Sequence, residues 1–137
     1  VMSHRLAVTL LLALINPVFT MPLQASLLKE HLWKNRVIIT FSSSVEEPEL
    51  LALQKQIDEK TCAFTDRNFV HIDLLQGTEE FDEMSQHFAV SNTGFQLLLL
   101  GKDGGVKLRS STALLEDIFS LIDTMPMRRR EMKDDQC

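Results

Sequence analysis

The sequence predicts a mixed α/β fold: a three-layer sandwich in which helices cover both faces of one four-stranded mixed sheet. Three observations carry this. Two apolar runs of strand length, Val37–Phe41 and Asn68–Leu75, flank a segment with helical spacing, so they pair in parallel across a right-handed crossover. Phe95–Arg109 (FQLLLLGKDGGVKLR) reads as an apolar strand, a Gly-rich reversal and a basic strand, which makes an antiparallel hairpin. A broad apolar stripe over about Thr112–Thr124 supplies a last covering helix.

In chain order, His4 and Arg5 precede an uncharged run, Leu6–Ile15, and Asn16-Pro17 then breaks any helix. A basic start, a short apolar centre and a breaker form the layout of a secretory signal, read here as residues 1–25; the run is shorter than the roughly 20 residues that span a bilayer. Ser26–Leu32 is a short amphipathic stretch leading into Trp33-Lys34-Asn35-Arg36. After the first strand and Ser42-Ser43-Ser44 a helix opens, with Pro48 in its first turn, Glu46, Glu47 and Glu49 complementing the helix dipole, and Leu50, Leu53 and Ile57 on one face. Thr78 caps a short helix whose apolar face is Phe81, Met84 and Phe88. Ser91–Gly94 turns into the hairpin. Leu114, Leu115, Ile118, Leu121, Ile122 and Met125 form the buried stripe of the last helix, and Pro126 stops it. The domain is expected over 26–127, with a charged tail over 128–137. This order of strands and helices is the thioredoxin-like arrangement.

Composition narrows the function. The chain has 137 residues, 45% of them hydrophobic, and a net charge of −5. One domain of that size buries a real core. The acidic balance argues against nucleic acid as a partner, because phosphate contacts need positive charge. The histidines His4, His31, His71 and His87 lie far apart, and Cys62 and Cys137 form no CxxC, so neither a metal site nor a cofactor is expected. GKDGG joins two strands rather than opening a helix, unlike a phosphate loop, and reads as hairpin-turn chemistry. Nothing places His71 or His87 beside a serine hydroxyl, so no Ser-His-Asp arrangement is argued. Asp123 is expected to satisfy backbone groups or pair with an arginine.

Specific strings add to this reading. WKNR before the first strand, GKDGGVKLR in the hairpin and IDTMPMRRRE at the end together resemble the DUF4174 family, over Trp33 to Glu131. The resemblance implies a small thioredoxin-like domain of bacterial secreted proteins, similar to the domain of vertebrate sushi-repeat and matrix adhesion proteins. It implies a fold and a periplasmic or secreted location, and transfers no catalytic residue.

Thiol chemistry is the natural question for such a fold. The place where a redox member carries its cysteine, after the first strand, holds Ser42, Ser43 and Ser44 here, with Glu46 and Glu47 nearby. The usual dithiol mechanism is absent. Cys62 reads first as a small core residue at a helix end. Its functional alternative is a single-cysteine thiol peroxidase or oxidoreductase with Cys137 as resolving partner. A structural disulfide between the two, or a link between chains through Cys137, stays open. The basic residues suggest another role. Lys34, Arg36, Lys102, Lys107, Arg109, Arg128, Arg129 and Arg130 stand against an acidic background, with Trp33 as an aromatic at their edge, and Lys107 and Arg109 alternate on one strand face. If Trp33–Arg36 and the Arg128 run converge there, the result is a binding or interaction module for an anionic ligand or an acidic protein, since arginine forks suit carboxylates and phosphates; a solvated face with local salt bridges is the alternative. A membrane role arises only if the N-terminal segment is retained.

Overall fold

The computed structural model describes residues 27–91, 94–134 and 137. The segment read as a signal peptide lies outside the described residues, as does part of the Ser91–Gly94 turn. A helical turn at 27–29 precedes strand β1 (Arg36–Ser42). Helices α1 (Pro48–Glu59) and α2 (Thr61–Asp66) follow, then β2 (Phe69–Leu75) and α3 (Glu79–His87). The hairpin β3 (Gln96–Leu100) and β4 (Val106–Ser110) leads to α4 (Leu115–Asp123), α5 (Pro126–Glu131) and a short 3-10 turn, Met132–Asp134.

The sheet order is β2-β1-β3-β4. β1 runs parallel to β2, in the register Val37 to Val70, and antiparallel to β3, with Val37 opposite Leu100. That is the mixed sheet the sequence predicts. β1 is buried along its whole length because helices cover both faces. On one face Ile38, Leu97 and Leu99 pack against Leu50 and Leu53 of α1, Phe64 of α2, and Leu115, Ile118, Phe119 and Ile122 of α4. Phe64, Phe69 and Phe119 stack in series there, ring centroids 5.4 and 6.0 Å apart. On the other face Val37, Ile39, Phe41, Leu98 and Leu100 meet Phe81, Met84 and Phe88 of α3, with Leu27 and Leu28 packed alongside.

The two predicted helix signals act as expected. Pro48 sits at the start of α1, and the Thr78 hydroxyl accepts the Phe81 N–H at the start of α3. The last helix departs from its predicted span. Leu114 stands outside its first turn and is exposed, while Phe119 joins the buried face. Gln56 of α1 sets that boundary: its amide oxygen accepts from Leu115 N–H at 2.9 Å and its NH2 donates to Ala113 carbonyl at 2.7 Å. The cap comes from another helix, beyond the reach of local pattern.

Two further corrections concern the chain end. Pro126 does not merely stop a helix; it occupies the first turn of α5, where its missing N–H costs nothing. The residues expected as a charged tail therefore begin as helix, and Arg128 is fully buried. Cys62 is not a core residue: it is exposed on α2 and joined to Cys137 by a disulfide, Cα atoms 5.9 Å apart. Among the described residues no helix is long and apolar enough to cross a membrane.

Candidate functional site

The parallel and antiparallel registers give the molecule two poles. At one, β1 ends in Ser42 and the chain enters α1. At the other, which we call the base, lie the start of β1, the 101–105 turn, the α1–α2 junction and α5.

The first pole is where a thiol of this fold would stand, and it is closed by hydrogen bonds. Ser42 Oγ and Thr40 Oγ1 each donate to Asp73 Oδ1 at 2.7 Å, and both side chains are fully buried. Because Thr40 donates to the carboxylate, its oxygen accepts from His71 Nε2, 2.8 Å away. Burial lowers the His71 pKa, with Asp73 opposing that shift. Among the described residues His71 is hydrogen-bonded to Thr40 and not to a serine, and the Ser42 hydroxyl is committed to the Asp73 carboxylate.

The base is built from charges. Arg36, almost wholly buried, donates to Glu131 at 2.9 and 3.3 Å and to the Arg67 carbonyl at 2.9 Å. Lys102 donates to Glu131 Oε1, which Arg36 also reaches, at 2.6 Å and to Asn68 Oδ1 at 2.9 Å. Arg128 spans Asp66 at 2.7 Å and Asp123 at 3.1 Å, while Arg67 grips Asp123 through two donors and lies over the Phe119 ring, 4.1 Å from its centroid. Burial pushes the Asp123 and Glu131 carboxyls upward, but the donors around them outweigh it and hold both below their ordinary range. Among the described residues no buried side-chain polar atom lacks a partner. A network so fully satisfied is a structural clasp, which ties α2, α4 and α5 to the start of β1.

Trp33 stands beside this clasp, 68% exposed and in left-handed backbone, φ 64°. For a bulky residue that conformation is strained, on the order of 1–3 kcal/mol. Its N–H donates to the Lys102 carbonyl at 2.7 Å, so the 101–105 turn holds it there. It borders a cavity of about 510 Å³ whose other lining includes Arg36, Lys102, Lys107, Met125, Pro126 and Met127. Lys107 is paired with Asp103 at 3.0 Å, and Asp103 is itself held below its ordinary pKa by the Gly105 N–H and by Lys107.

Of the residues singled out from sequence, Trp33, Arg36 and Lys107 line this cavity. Lys34 follows Trp33 and is exposed; Arg129 is exposed on α5. Arg109 is exposed on β4 and does not line it, and Arg128 is spent inside the clasp. Asp66, Arg67 and Glu131 were not among the expected site residues, and Lys102 was expected only as one of the basic set. Their signal was present only as charges that recur in the strings WKNR, GKDGG and IDTMPMRRRE, with Asp66 and Arg67 carried by no string at all. Asp123 does pair with arginines, as expected.

The family model described as a domain of unknown function, DUF4174, matches residues 27–131. The chain belongs to the DUF4174 family. The three strings that carried the resemblance are thus the pieces of one clasp: Arg36, Lys102, Asp123, Arg128 and Glu131 come from them. No curated protein matches the chain. Among solved structures, this DUF4174 chain is similar to the reduced 2-Cys peroxiredoxin of Plasmodium vivax, at 13% identity over 75% of this chain and 84% of that one, with TM-score 0.57. It is also similar to thioredoxin peroxidase I of Plasmodium yoelii, at 17% identity over 80% and 82%, with TM-score 0.55. At such identities the likeness establishes the fold, which is thioredoxin-like. The cysteine of this DUF4174 domain sits elsewhere: Cys62 is on α2 at the base, the pole opposite the Ser42–Ser44 turn.

Proposed function

We propose that the chain is an exported binding module of thioredoxin-like fold that recognises an anionic partner through its basal face. The observation that carries this reading is Trp33: a large aromatic held outward in strained backbone beside a cavity rimmed by cations. Strain of that kind persists where a site depends on it. Charge supports the same face. The whole chain is at −5, and carboxylates crowd the first turn of α3 (Glu79, Glu80, Asp82) and the entry to α1. The base carboxylates Asp66, Asp123 and Glu131 are paired, while the exposed Lys34, Arg129 and Arg130 carry no ion pair among the described residues. Export fits a disulfide, a bond that persists in oxidising compartments, and the apolar run with its basic start.

Trp33 is the sole tryptophan in a chain without tyrosine, so its emission reports on this face alone. Titration with polyglutamate should change that emission, and 0.5 M salt should weaken the response. Polylysine should leave it unchanged. A protein whose Trp33 ignores polyglutamate at low salt is not an anion-binding module of this kind.

The second reading, a thiol peroxidase or oxidoreductase using Cys62, draws on the peroxiredoxin likeness and on the exposed Cys62–Cys137 pair. In that chemistry the Cys62 thiolate takes an oxygen from peroxide, releasing water or alcohol, and the Cys137 thiol then displaces water from the sulfenic acid to form the disulfide. Against it, α2 has only six residues, and Lys60 at its start, two residues before Cys62, is paired with Glu116. Reduced protein mixed with one equivalent of hydrogen peroxide decides between them: disulfide formation no faster than for a small free thiol rejects the enzyme.

A further inference from the structure

We infer that the partner of the basal face is an acidic peptide segment bearing one large apolar side chain, which seats in the Trp33 cavity while its flanking carboxylates meet the rim. The inference rests on the reading of this face as a binding surface and names its ligand.

The division of chemistry between the inside and the edge of the cavity points to such a ligand. Inside, every cation is already engaged: Arg36 and Lys102 share Glu131, and Lys107 holds Asp103. A bare anion entering there would have to compete with Glu131, which already takes two bonds from Arg36 and one from Lys102 and is tethered to the same fold. The surfaces that remain for a ligand are Trp33, Met125, Pro126 and Met127, which are apolar. Trp33 is 68% and Met127 41% exposed, so both lose water when covered. Methionines adapt to irregular apolar groups, and tryptophan is favoured where one residue anchors an interface. The volume, about 510 Å³, falls in the range of roughly 300–1,000 Å³ of ligand clefts.

At the edge the chemistry reverses. Lys34 and Arg130 are exposed and carry no ion pair among the described residues. Arg130 falls four residues after Pro126 and three after Met127, which puts it on the face of α5 that lines the cavity. Lys34 follows Trp33, a lining residue, in the chain. A segment seated on Trp33 and Met127 therefore has an exposed cation next in sequence to the tryptophan and another on α5. The complement is acidic, apolar, acidic. Such rim charges steer encounter and set register, while the buried anchor sets the off-rate.

The test uses the intact oxidised chain and end-blocked peptides, followed by calorimetry and Trp33 emission. Glu-Glu-Phe-Glu-Glu should bind at least tenfold tighter than Glu-Glu-Ser-Glu-Glu, and Lys-Lys-Phe-Lys-Lys should not bind. Met127→Asp, a change at a surface residue, should weaken the Phe peptide at least tenfold with unchanged circular dichroism. Arg130→Glu should weaken it severalfold and flatten its salt dependence. Equal binding of the Phe and Ser peptides overturns the inference but keeps an anion-binding face. Tighter binding of a sulfated oligosaccharide or of inorganic phosphate than of the Phe peptide also overturns it. Failure of both acidic peptides and of polyglutamate removes the binding reading itself.

Discussion

Arg36 and Glu131, 95 residues apart in sequence, meet at the base in a two-pronged pair of 2.9 and 3.3 Å. Arg36 is nearly inaccessible, and Glu131 also takes the Lys102 ammonium. One carboxylate thus fastens the start of β1 and the hairpin turn to the last helix.

Removing that carboxylate should cost more than removing the pair. Glu131→Gln leaves a buried guanidinium without its counter-charge, a loss of about 3–5 kcal/mol for a dry site. Glu131 keeps about a fifth of its side chain in water, so roughly 2–3 kcal/mol is the expectation. The double variant Arg36→Met with Glu131→Met should cost less than Glu131→Gln alone. Urea midpoints at pH 7 compare the three, and a double variant less stable than the single would mean the pair is net stabilising.

Acid should loosen the molecule in two stages. His71 has its folded pKa lowered, so the unfolded chain binds a proton more readily and stability falls as pH drops below about 6.5. Asp123 and Glu131 have folded values lowered from 3.8 and 4.5. Their contribution is complete above those ordinary values and is lost as pH falls through the folded ones. Melting temperature against pH should show both declines. His71→Gln, whose NH2 can still donate to Thr40, should remove the upper decline and leave the lower.

What the sequence revealed and what it hid follow from the range of each interaction. β1, β2, α3 and the hairpin were legible because their signals are local: β-branched runs, a Thr78 cap, a glycine turn. The base was half legible. Its strings stood out, yet Arg36 and Arg128 read as surface charge because a buried arginine looks like an exposed one until its carboxylates are placed. Asp66 and Arg67, in the six-residue α2, gave no local hint of meeting Asp123 and Arg128. The boundary of α4 was hidden for the same reason, since its cap is Gln56 of another helix.

The disulfide should be a tie rather than a reagent. Cys62 and Cys137 are separated by 75 residues, and closing a loop of that length stabilises by at most about 4–5 kcal/mol in the chain-entropy account. Cys137→Ser should lower stability by about 2–4 kcal/mol. Cys62→Ser, alone or combined with it, should do the same, because one bond is lost in each case. Oxidised wild-type protein should take up no alkylating reagent even in 6 M guanidinium until reductant is added. Labelling without reductant, up to two thiols per chain, would show the bond to be partial.

The orientation of Trp33 depends on a glycine that does not touch the cavity. Gly104 has φ +81°, and a Cβ there would lie 3.0 Å from Leu32 Cδ2. Gly104→Ala therefore carries two penalties: left-handed backbone, about 1 kcal/mol, and a push on Leu32 that passes to Trp33, the next residue. Gly77 separates them. It also has positive φ, +93°, but a Cβ there meets nothing within 4 Å. Gly77→Ala should lose about 1 kcal/mol with the Trp33 emission unchanged. Gly104→Ala should lose somewhat more, shift the emission maximum and weaken polyglutamate binding. If both variants left Trp33 emission alone, the Gly104–Leu32 contact would not shape how the tryptophan is presented, and the Trp33 N–H bond to the Lys102 carbonyl would suffice.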